Sequence, residues 1–567
     1  MRRLLAGALA GLLTAAVALG IAELAAALIS ASSAPVIAVG ETAINLTPIP
    51  VKEFAITHFG SHDKEALLTG IVVLLIGFAA VIGIAAVRRI AYGLAGLVVF
   101  AVIGAAAAIH LPGGTAVDVI PTLAGVLVGA AAMVVLIRAL RATFPPAVSG
   151  RAVSGPEPAG SAVPVEDVLA AGPYLGDLAG PAGLAGPGGV TGPGGVAGPG
   201  GVERDVRPAA SAPDRRRFLI AGAGAAAVAA VAGGAGDKLL SRFSIASSRA
   251  QVRLPAAAVR APAVPAGTEL NIPGLTPFFT SNPSFYRVDT DLVLPQVSPD
   301  NWTLSIDGMV DHPLEFSFDE LLRMPLTETD ITLVCVSNQV GGTYNGNARW
   351  LGVPLGGLLR KAGVQAGVDQ VLSTSTDGMT ISTPVATILD RPDSLLAVGM
   401  NGQPLPIEHG FPARMIVPGL YGYVSATKWV TKLTLTTFAK QKAYWTQRGY
   451  SAQAPIKTES RIDVPRPLSQ IKAGRIAVAG VAWAPATGIA KVEVNVDTGP
   501  WQKATLAAVD GIDTWRQWMW TWDADKPGLH TLQVRATDNA GVTQTSARAN
   551  PVPNGASGWD STVVTVT

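Results

Sequence analysis

The 567-residue chain contains one cysteine, Cys335, and only 14% charged residues. A single cysteine excludes an internal disulfide and any zinc or iron–sulfur site built from several protein thiolates. The formal net charge of +2 excludes a strongly basic nucleic-acid-binding protein, so we expect no nucleic-acid partner. Tryptophan is absent from the first 300 residues, although the chain has 11. The two halves of the chain therefore face different solvents.

Four long apolar runs occupy the first quarter of the chain, and Glu23 is their only acidic residue. Each run approaches the roughly 20 residues that a helix needs to cross a bilayer. Buried core helices are the alternative, but four such runs with almost no charge favour membrane spans. We predict four transmembrane helices within residues 1–140, over residues 4–30, 67–87, 90–109 and 119–137.

Arginine pairs flank these runs on alternate sides: Arg2 with Arg3, Arg88 with Arg89, and Arg138 with Arg141. Basic residues near membrane helices accumulate on the cytoplasmic side. The N-terminus and residue 140 are therefore predicted to be cytoplasmic.

Residues 141–213 consist mainly of Pro, Gly, Ala and Val. Such a segment cannot build a core, so we expect a disordered cytoplasmic linker. Glycine recurs every third residue from Gly180 to Gly201, as in collagen. Because the repeat is short, a flexible linker is the preferred interpretation.

Residues 214–238 begin with three arginines, Phe218 and Leu219, followed by a weakly apolar Ala/Gly run. This pattern resembles a twin-arginine export signal, which is an address read by a receptor. The alternative is an Arg-rich stop-transfer flank. The signal predicts a fifth membrane helix, the twin-arginine export machinery as a partner, and an extracytoplasmic domain beyond it. The chain is then a multi-pass cell-membrane protein.

A predicted linker, residues 239–267, precedes an α+β domain at residues 268–455. Strands are predicted over Asn301–Val310, Ile331–Val336 and Gln370–Ser375, and helices at Phe318–Arg323 and Leu355–Ala362. No glycine-rich dinucleotide loop and no P-loop occurs, so nicotinamide and nucleotide chemistry have no motif support.

Cys335 follows a predicted buried strand and is separated by two residues from Asn338. A lone cysteine at such a place is by default a small buried hydrophobe. Downstream, however, the chain reads NGQPLPIEHGFPAR from Asn401 to Arg414 and then VPGLYGYVSATKW to Trp429. Together these motifs resemble the sulfite-oxidase family of molybdopterin enzymes, over about residues 270–567.

The resemblance implies a molybdenum–molybdopterin cofactor and makes Cys335 both the metal ligand and the catalytic residue. Only one protein thiolate is needed, since the pterin supplies the other sulfurs, and sulfur suits such a metal. Cations are expected to hold the pterin phosphate. The residues assigned to cofactor binding are Asn282, Tyr286, Ser375, Asp377, His409, Arg414 and Lys428.

Two positions depart from the sulfite-oxidase pattern. Gln339 and Ser281 stand where arginines are expected to hold the sulfite anion, and no active-site tyrosine appears near Asp377-Gly378-Met379-Thr380. Losing cations from an anion pocket should weaken binding strongly. The small-molecule substrate is therefore in doubt. No haem domain is attached, so a separate electron-transfer partner is expected.

Residues 456–567 contain short alternating segments separated by turns, which predict an immunoglobulin-like β-sandwich. This module resembles the C-terminal domain that pairs subunits in the sulfite-oxidase family, and it predicts a homodimer. Trp518, Trp520 and Trp522 alternate by two and are expected to form a core face; a sugar-binding platform is the alternative.

The predicted protein has several domains: an N-terminal all-α transmembrane bundle, an α+β molybdopterin domain and a β-sandwich. The predicted function is membrane-anchored, extracytoplasmic oxygen-atom transfer. A non-catalytic membrane-anchored binding protein with a vestigial cofactor domain is the alternative. Transport is disfavoured because the helices lack intramembrane charges.

Overall fold

The computed structural model describes residues 2–48, 63–111, 114–143, 212–242 and 245–567, together with residues 51, 54, 58 and 59. The predicted linker at 141–213 falls almost wholly outside these residues. Its two ends are helical, since one helix runs to Thr143 and the next begins at Ala212.

The N-terminal part is a bundle of helices. Within the described residues, five helices are long and apolar enough to cross a membrane, which confirms the predicted number of candidate spans. The bundle helices are α1 (Arg2–Ile29), α2 (Pro35–Leu46), α3 (Asp63–Arg88), α4 (Ile90–His110), α5 (Ile120–Thr143) and α6 (Ala212–Arg242).

Glycines let the bundle helices approach closely. A Cβ on Gly11 of α1 would lie 2.0 Å from the Ala79 carbonyl oxygen of α3, and one on Gly125 of α5 would lie 2.4 Å from the Ala18 carbonyl oxygen of α1. Contacts between small residues are the expected way for apolar helices to associate. Gly7 with Gly11 and Gly125 with Gly129 are GxxxG pairs, and each pair lies where α1 packs closely against another helix.

The short helix α2 was missed by the sequence analysis, which treated the segment after α1 as an external loop. Its 12 residues begin at Pro35, which fits the first turn of a helix, and are too few to span a bilayer. Ala38 packs with Ala107, Ala108 and Leu111 of α4. This helix lies at the end of the bundle that contacts the following domain.

The predicted linker at 239–267 begins within α6, and its described residues 245–267 pack along the next domain. It contains a short helix, α7 (Ala246–Gln251). Arg249 donates hydrogen bonds of 2.6 Å to the carbonyl oxygens of Leu405 and Pro404, and Val252 and Leu254 pack against the domain core.

The α+β domain is built on two β-sheets, one mixed and one antiparallel. One has the strand order β2-β1-β10-β5-β6, with β1 parallel to β10, and the other has the order β3-β4-β7-β8, with β9 paired to β7. The strands are β1 (Thr303–Gly308), β2 (Leu314–Ser317), β3 (Thr327–Val334), β4 (Asn345–Pro354), β5 (Gln370–Ser375), β6 (Thr380–Pro384), β7 (Leu395–Met400), β8 (Gln403–Pro404), β9 (Arg414–Ile416) and β10 (Val430–Thr436).

Four short helices connect or follow these strands: α8 (Phe318–Leu322), α9 (Leu355–Ala362), α10 (Val385–Asp390) and α11 (Tyr444–Gln447). Ser317 caps α8, because its side chain accepts from the Glu320 amide while the Glu320 carboxylate accepts from Ser317. The predicted strand at 331–336 ends earlier, at Val334, so Cys335 begins the loop beyond β3.

The C-terminal part contains two β-sheets that share one core, with orders β11-β13-β17-β16 and β12-β19-β18-β14-β15. Trp518 and Trp522 are buried there and Trp520 packs against them, as the alternation predicted. The strands are β11 (Glu459–Val464), β12 (Gln470–Ile471), β13 (Gly474–Trp483), β14 (Ile489–Val496), β15 (Gln502–Lys503), β16 (Thr505–Leu506), β17 (Arg516–Ala524), β18 (Gly528–Asp538) and β19 (Asp560–Val566).

The α+β domain and the β-rich C-terminal region pack directly against each other. Trp483 and Trp515 of the β-rich region belong to the main core of the α+β domain. The Trp515 indole also donates a 2.9 Å hydrogen bond to the Phe278 carbonyl oxygen. This contact fixes the loop that begins at Phe278, which leads into the candidate site.

Candidate functional site

Cys335 lies at the start of a tight loop between β3 and β4. Its thiol is buried and accepts a 3.4 Å contact from the Ser337 amide. Asn338 closes the loop, because its side-chain oxygen accepts a 2.8 Å hydrogen bond from the Tyr344 amide. The spacing of Cys335 and Asn338 is thus explained by loop closure. Burial raises the pKa of the Cys335 thiol.

A second loop, Phe278–Tyr286, lies beside the first and is held by Asn347 of β4. The Asn347 side-chain amide donates a 3.0 Å hydrogen bond to the Phe278 carbonyl oxygen. The Asn347 backbone carbonyl accepts a 2.8 Å hydrogen bond from the Thr280 amide. Tyr286 is partly buried within electrostatic reach of Cys335 and Arg414, and its burial raises its pKa. Asn282 accepts 2.8 Å from Asn401 and therefore acts in positioning this loop.

His409 packs against the second loop through its ring. The ring Nε2 lies 3.2 Å from the Asn282 carbonyl oxygen, which can only accept, so Nε2 carries the proton. Burial, with Arg414 nearby, lowers the pKa of His409 to about 4. His409 is therefore neutral at pH 7 and keeps Nδ1 as an acceptor.

Arg414 is the residue of the site that points most directly to a bound anion. It is 6% exposed, donates to the carbonyl oxygens of His409 (3.1 Å) and Ala426 (3.4 Å), and lies 5.3 Å from the Trp350 ring centre. Its Nε has no hydrogen-bond partner, and no carboxylate pairs with it among the described residues. Burial lowers the pKa of Arg414 to about 10. A buried cation without a counter-ion is costly unless an anion binds there.

Lys428 occupies the opposite side of Gly410. A Cβ at Gly410 would lie 3.0 Å from Cα of Lys428 and 3.1 Å from Cβ of Arg414, and its φ of +106° also favours glycine. The Lys428 ammonium pairs with Asp289 at 2.9 Å and donates to the Glu408 carbonyl at 3.3 Å. Burial lowers the pKa of Lys428 to about 8.

Trp429 holds the backbone next to Lys428 in the left-handed region, with a φ of +49°. Such a conformation costs on the order of 1 kcal/mol or more for a non-glycine residue. The indole nitrogen donates 2.9 Å to Ile407, and the Trp429 carbonyl accepts from the amide and hydroxyl of Thr376. These contacts orient the start of β10 and thereby Lys428.

The remaining two predicted residues, Ser375 and Asp377, lie to one side of the residues described above. Ser375 is buried at the end of β5, and its hydroxyl has no partner among the described residues. Asp377 accepts from the Met379 amide in the next turn and faces Asp291 and Glu41. Six of the eight predicted residues thus surround one centre, and the cofactor role of all eight stays a prediction.

Sequence reasoning missed three charged residues around this centre. Asp289 and Arg287 follow the second loop and form an ion pair of 2.6 Å. Arg461 of β11 donates 2.7 Å to the Gly342 carbonyl and 2.9 Å to the Asn345 side chain, so it supports the loop after Cys335. No local motif marks these residues, because the contacts that join them to this centre are made with residues more than 100 positions away.

The donor set fits a molybdopterin group. Arg414 offers an unpaired buried cation, Lys428 a second cation, Ser375 and Asn338 unpaired polar atoms, and Cys335 a thiol. A cavity of about 530 Å³ adjoins this centre between Ser281–Pro283 and Pro406–Glu408, with Arg249 at its rim. Cys335 and Arg414 do not line that cavity. Among the described residues, no group of His, Cys, Asp and Glu forms an all-protein metal site.

Comparisons with known proteins agree with this chemistry. The family model described as an oxidoreductase molybdopterin binding domain matches residues 291–445. An uncharacterized oxidoreductase, YuiH, from Bacillus subtilis is 35% identical over 149 residues, which are 26% of this chain and 72% of that protein. Mitochondrial sulfite oxidase from Macaca fascicularis is 29% identical over 291 residues, which are 43% of this chain and 52% of that enzyme.

Among solved structures, the sulfane dehydrogenase SoxCD from Paracoccus pantotrophus matches with a TM-score of 0.46 and 25% identity, covering 52% of this chain and 84% of that chain. The family model and the curated relatives define the class of protein, a molybdopterin-binding oxidoreductase domain. The chain belongs to the sulfite-oxidase family of these proteins. It spans about half the length of the sulfite oxidases that it matches.

Proposed function

We propose that the chain is a membrane-anchored, extracytoplasmic molybdopterin-dependent oxidoreductase that transfers an oxygen atom in a two-electron reaction of a small substrate. The observation that carries the proposal is the buried, unpaired guanidinium of Arg414 within the same centre as Cys335 and Lys428. A vestigial domain would gain nothing from keeping an uncompensated charge in its core.

Each residue of the centre has a physical role in this proposal. Bound molybdopterin supplies a metal that accepts and returns two electrons. Cys335 loses its proton and binds the metal, since thiolates are the metal-binding form of cysteine. Arg414 and Lys428 hold the anionic end of the cofactor, and neutral His409 offers Nδ1 as an acceptor. The enclosing loops exclude water from these contacts.

The overall reaction balances only with an electron partner. In the oxidative direction the substrate gains an oxygen atom from water, and two protons and two electrons leave. In the reductive direction the same atoms and charges move the other way. A separate electron-transfer protein or mediator therefore belongs to the proposal, because the two electrons need a donor or acceptor besides the substrate.

The substrate pocket differs from a sulfite pocket at two positions. Gln339 is exposed, and the Ser281 hydroxyl pairs with Ser284 at 2.9 Å. Neither offers a cation. We expect a substrate that carries less negative charge than sulfite, since removing cations from an anion site costs affinity.

The placement outside the cytoplasm rests on which end of the bundle carries the domain. Lys64, at the start of α3, pairs with Asp289 of the cofactor domain. The arginines lie at the other end, where Arg141 of α5 donates 3.0 Å to the Ala86 carbonyl at the end of α3. Arginine-rich ends favour the cytoplasm. The two-sheet C-terminal region is proposed to be immunoglobulin-like and to pair two subunits.

The test is metal and pterin analysis of the purified full chain, followed by a substrate screen with a redox dye. We expect near-stoichiometric molybdenum with a pterin, and turnover of at least one oxygen-atom donor or acceptor. Cys335→Ser should keep the fold and lose the metal or its activity. Equal turnover by the wild type and this variant at equal cofactor loading contradicts the ligand role. A folded, exported wild type without molybdenum supports the non-catalytic alternative.

A further inference from the structure

The first turn of membrane helix α3 reaches the cofactor domain. The Lys64 ammonium lies 2.5 Å from Oδ1 of Asp289 and 2.5 Å from the Asp291 carbonyl oxygen. The two partners are separated from Lys64 by 225 and 227 residues of sequence. This contact therefore joins two distant parts of the chain.

Asp289 is at the same time the carboxylate partner of Lys428. Its side chain is only 3% exposed, and its two oxygens serve three cations: Lys64 on Oδ1, Lys428 on Oδ2 and Arg287 on both. Asp289 therefore stands between a residue of the bundle and a residue of the cofactor site.

The contact is not an isolated surface ion pair, because the bundle and the domain are docked on both sides of it. The Tyr444 hydroxyl donates 2.9 Å to the Asn45 side chain of α2, and Arg448 donates 3.3 Å to the Asn45 carbonyl. Gly40 of α2 also faces Leu292 so closely that a Cβ there would lie 2.5 Å from Cδ1 of Leu292.

We propose that Lys64 is a positioning residue of the cofactor site. Lys64 acts through Asp289 on Lys428, so the membrane bundle contributes to holding the cofactor. This inference rests on the proposed function. Lys64 fixes Oδ1 of Asp289 and the backbone at Asp291. The other carboxylate oxygen of Asp289, Oδ2, then points at Lys428. Without Lys64 the Asp289 carboxylate keeps only Arg287 and Lys428 as partners, so its position, and with it that of Lys428, is held less firmly.

The experiment compares cofactor retention in the full chain reconstituted in lipid nanodiscs. Lys64→Met removes the cation while keeping a side chain of similar length. Supporting contacts around metal sites typically change affinity by tenfold or more, so we expect release of molybdenum and pterin to be roughly tenfold faster. Lys64→Arg should restore retention, because a guanidinium also pairs with Asp289.

Two controls separate positioning from general docking. Lys432→Met removes a 2.7 Å ion pair with Asp307 elsewhere on the same domain and should retain the cofactor as the wild type does. Tyr444→Phe removes the hydroxyl contact to Asn45 without touching Asp289 and should also retain it. Thermal unfolding of the cofactor-free variants checks that each is folded.

Retention in Lys64→Met equal to that of Lys432→Met overturns the proposal. Equal loss in Lys64→Met and Tyr444→Phe also overturns it, because docking as a whole would then be responsible. If the wild type contains molybdopterin, either of these two results leaves the proposed function intact. A wild type that never contains molybdopterin overturns both.

Discussion

Arg414 shows how a single residue can identify a binding site. Its guanidinium is buried, stacks near Trp350 and donates to two backbone carbonyls, yet it faces no carboxylate among the described residues. A charge held in this way destabilises the chain by itself and becomes favourable only with an anion beside it.

Arg414→Met should therefore separate stability from cofactor binding. The lowered pKa of Arg414, about 10 against the ordinary 12.5, corresponds to a cost of about 3 kcal/mol in the cofactor-free protein. We expect the variant's free energy of unfolding without cofactor to be unchanged or up to about 3 kcal/mol higher, because lost hydrogen bonds offset part of the gain. Cofactor retention should fall at least tenfold, as judged by molybdenum per chain after gel filtration.

The matching comparison for this prediction is Lys428→Met. Lys428 has a carboxylate partner, Asp289, so its removal takes away one of the three cations that compensate this buried anion and should destabilise the cofactor-free protein. If both variants lose retention but show the same change in unfolding free energy, the argument from an uncompensated charge is wrong. Unchanged retention with collapsed turnover would instead place both residues in the substrate pocket.

At the residue scale the sequence predicted most of the centre. The motif from Asn401 to Arg414 supplies His409 and Arg414 on one short segment, and Cys335 is the only thiol, so local pattern was enough. Asp289 and Lys64 were missed because their importance arises from contacts with residues 139 and 225 positions away. No local periodicity encodes such contacts.

Strand β11 of the C-terminal region supports the loop that carries Cys335. The Arg461 guanidinium pairs with Asp463 at 2.7 Å and reaches Gly342, Asn345 and Thr276, while both charged side chains are less than 10% exposed. The loop after the thiol is thus fixed by an element outside the domain that contains it.

Arg461→Met should loosen that loop and destabilise the chain. Removing one partner of a buried ion pair typically costs about 3–5 kcal/mol, because the remaining charge stays buried. We expect a lower midpoint in thermal unfolding and weaker metal retention. Arg466→Met, at an exposed position on the same segment, serves as the control. A variant as stable and as fully loaded as the wild type would show that the loop is self-supporting.

Helix α2 meets the cofactor domain through carboxylates. Glu41 faces Asp377 and Asp291, with Asp289 and Lys64 also nearby, and burial raises the pKa of Glu41 to about 7. Burial and the neighbouring Asp377 also raise the pKa of Asp291. The Oδ2 atom of Asp291 has no partner among the described residues.

Docking of α2 should weaken as the pH rises. A carboxyl whose pKa is raised in the docked state binds its proton more tightly there, so its contribution is complete below the ordinary pKa of about 4.5 and is lost as the pH passes about 7. Spin labels at Leu46→Cys and Lys442→Cys should report a longer or broader distance distribution at pH 9 than at pH 5. Glu41→Gln with Asp291→Asn should abolish the difference; a difference that persists assigns it to other groups.

At the element scale, hydrophobic patterning was reliable for long helices and alternating strands. The strand Gln370–Ser375 and the helix Leu355–Ala362 have the predicted bounds. Helix α2 and the packed segment after α6 were missed because neither has a periodicity that marks it as an element. Both segments are held in place by packing, the segment after α6 against the cofactor domain and α2 against α4.

The whole molecule places its helices and its cofactor domain in direct contact. Helix α6 lies along α1, where a Cβ on Gly20 would be 2.9 Å from the Ala229 carbonyl oxygen and one on Gly236 would be 3.2 Å from the Leu24 amide nitrogen. Such packing favours a retained anchor over a cleaved signal. The composition could predict the five helices, but only tertiary contacts reveal that α2 and Lys64 meet the domain.

We expect the arginines at the start of α6 to determine how the domain reaches that position. Arg215→Lys with Arg216→Lys and Arg217→Lys keeps the positive charge, so insertion governed by charge alone should be unchanged. A twin-arginine receptor distinguishes arginine from lysine, and we therefore expect the five helices to be made while the domain remains inside the cell. Protease added to intact spheroplasts should digest the wild-type domain and spare that of the variant. Digestion of both from outside would mean that the domain is threaded unfolded and must acquire its cofactor after crossing, because an unfolded chain cannot carry a buried pterin held by Arg414 and Lys428.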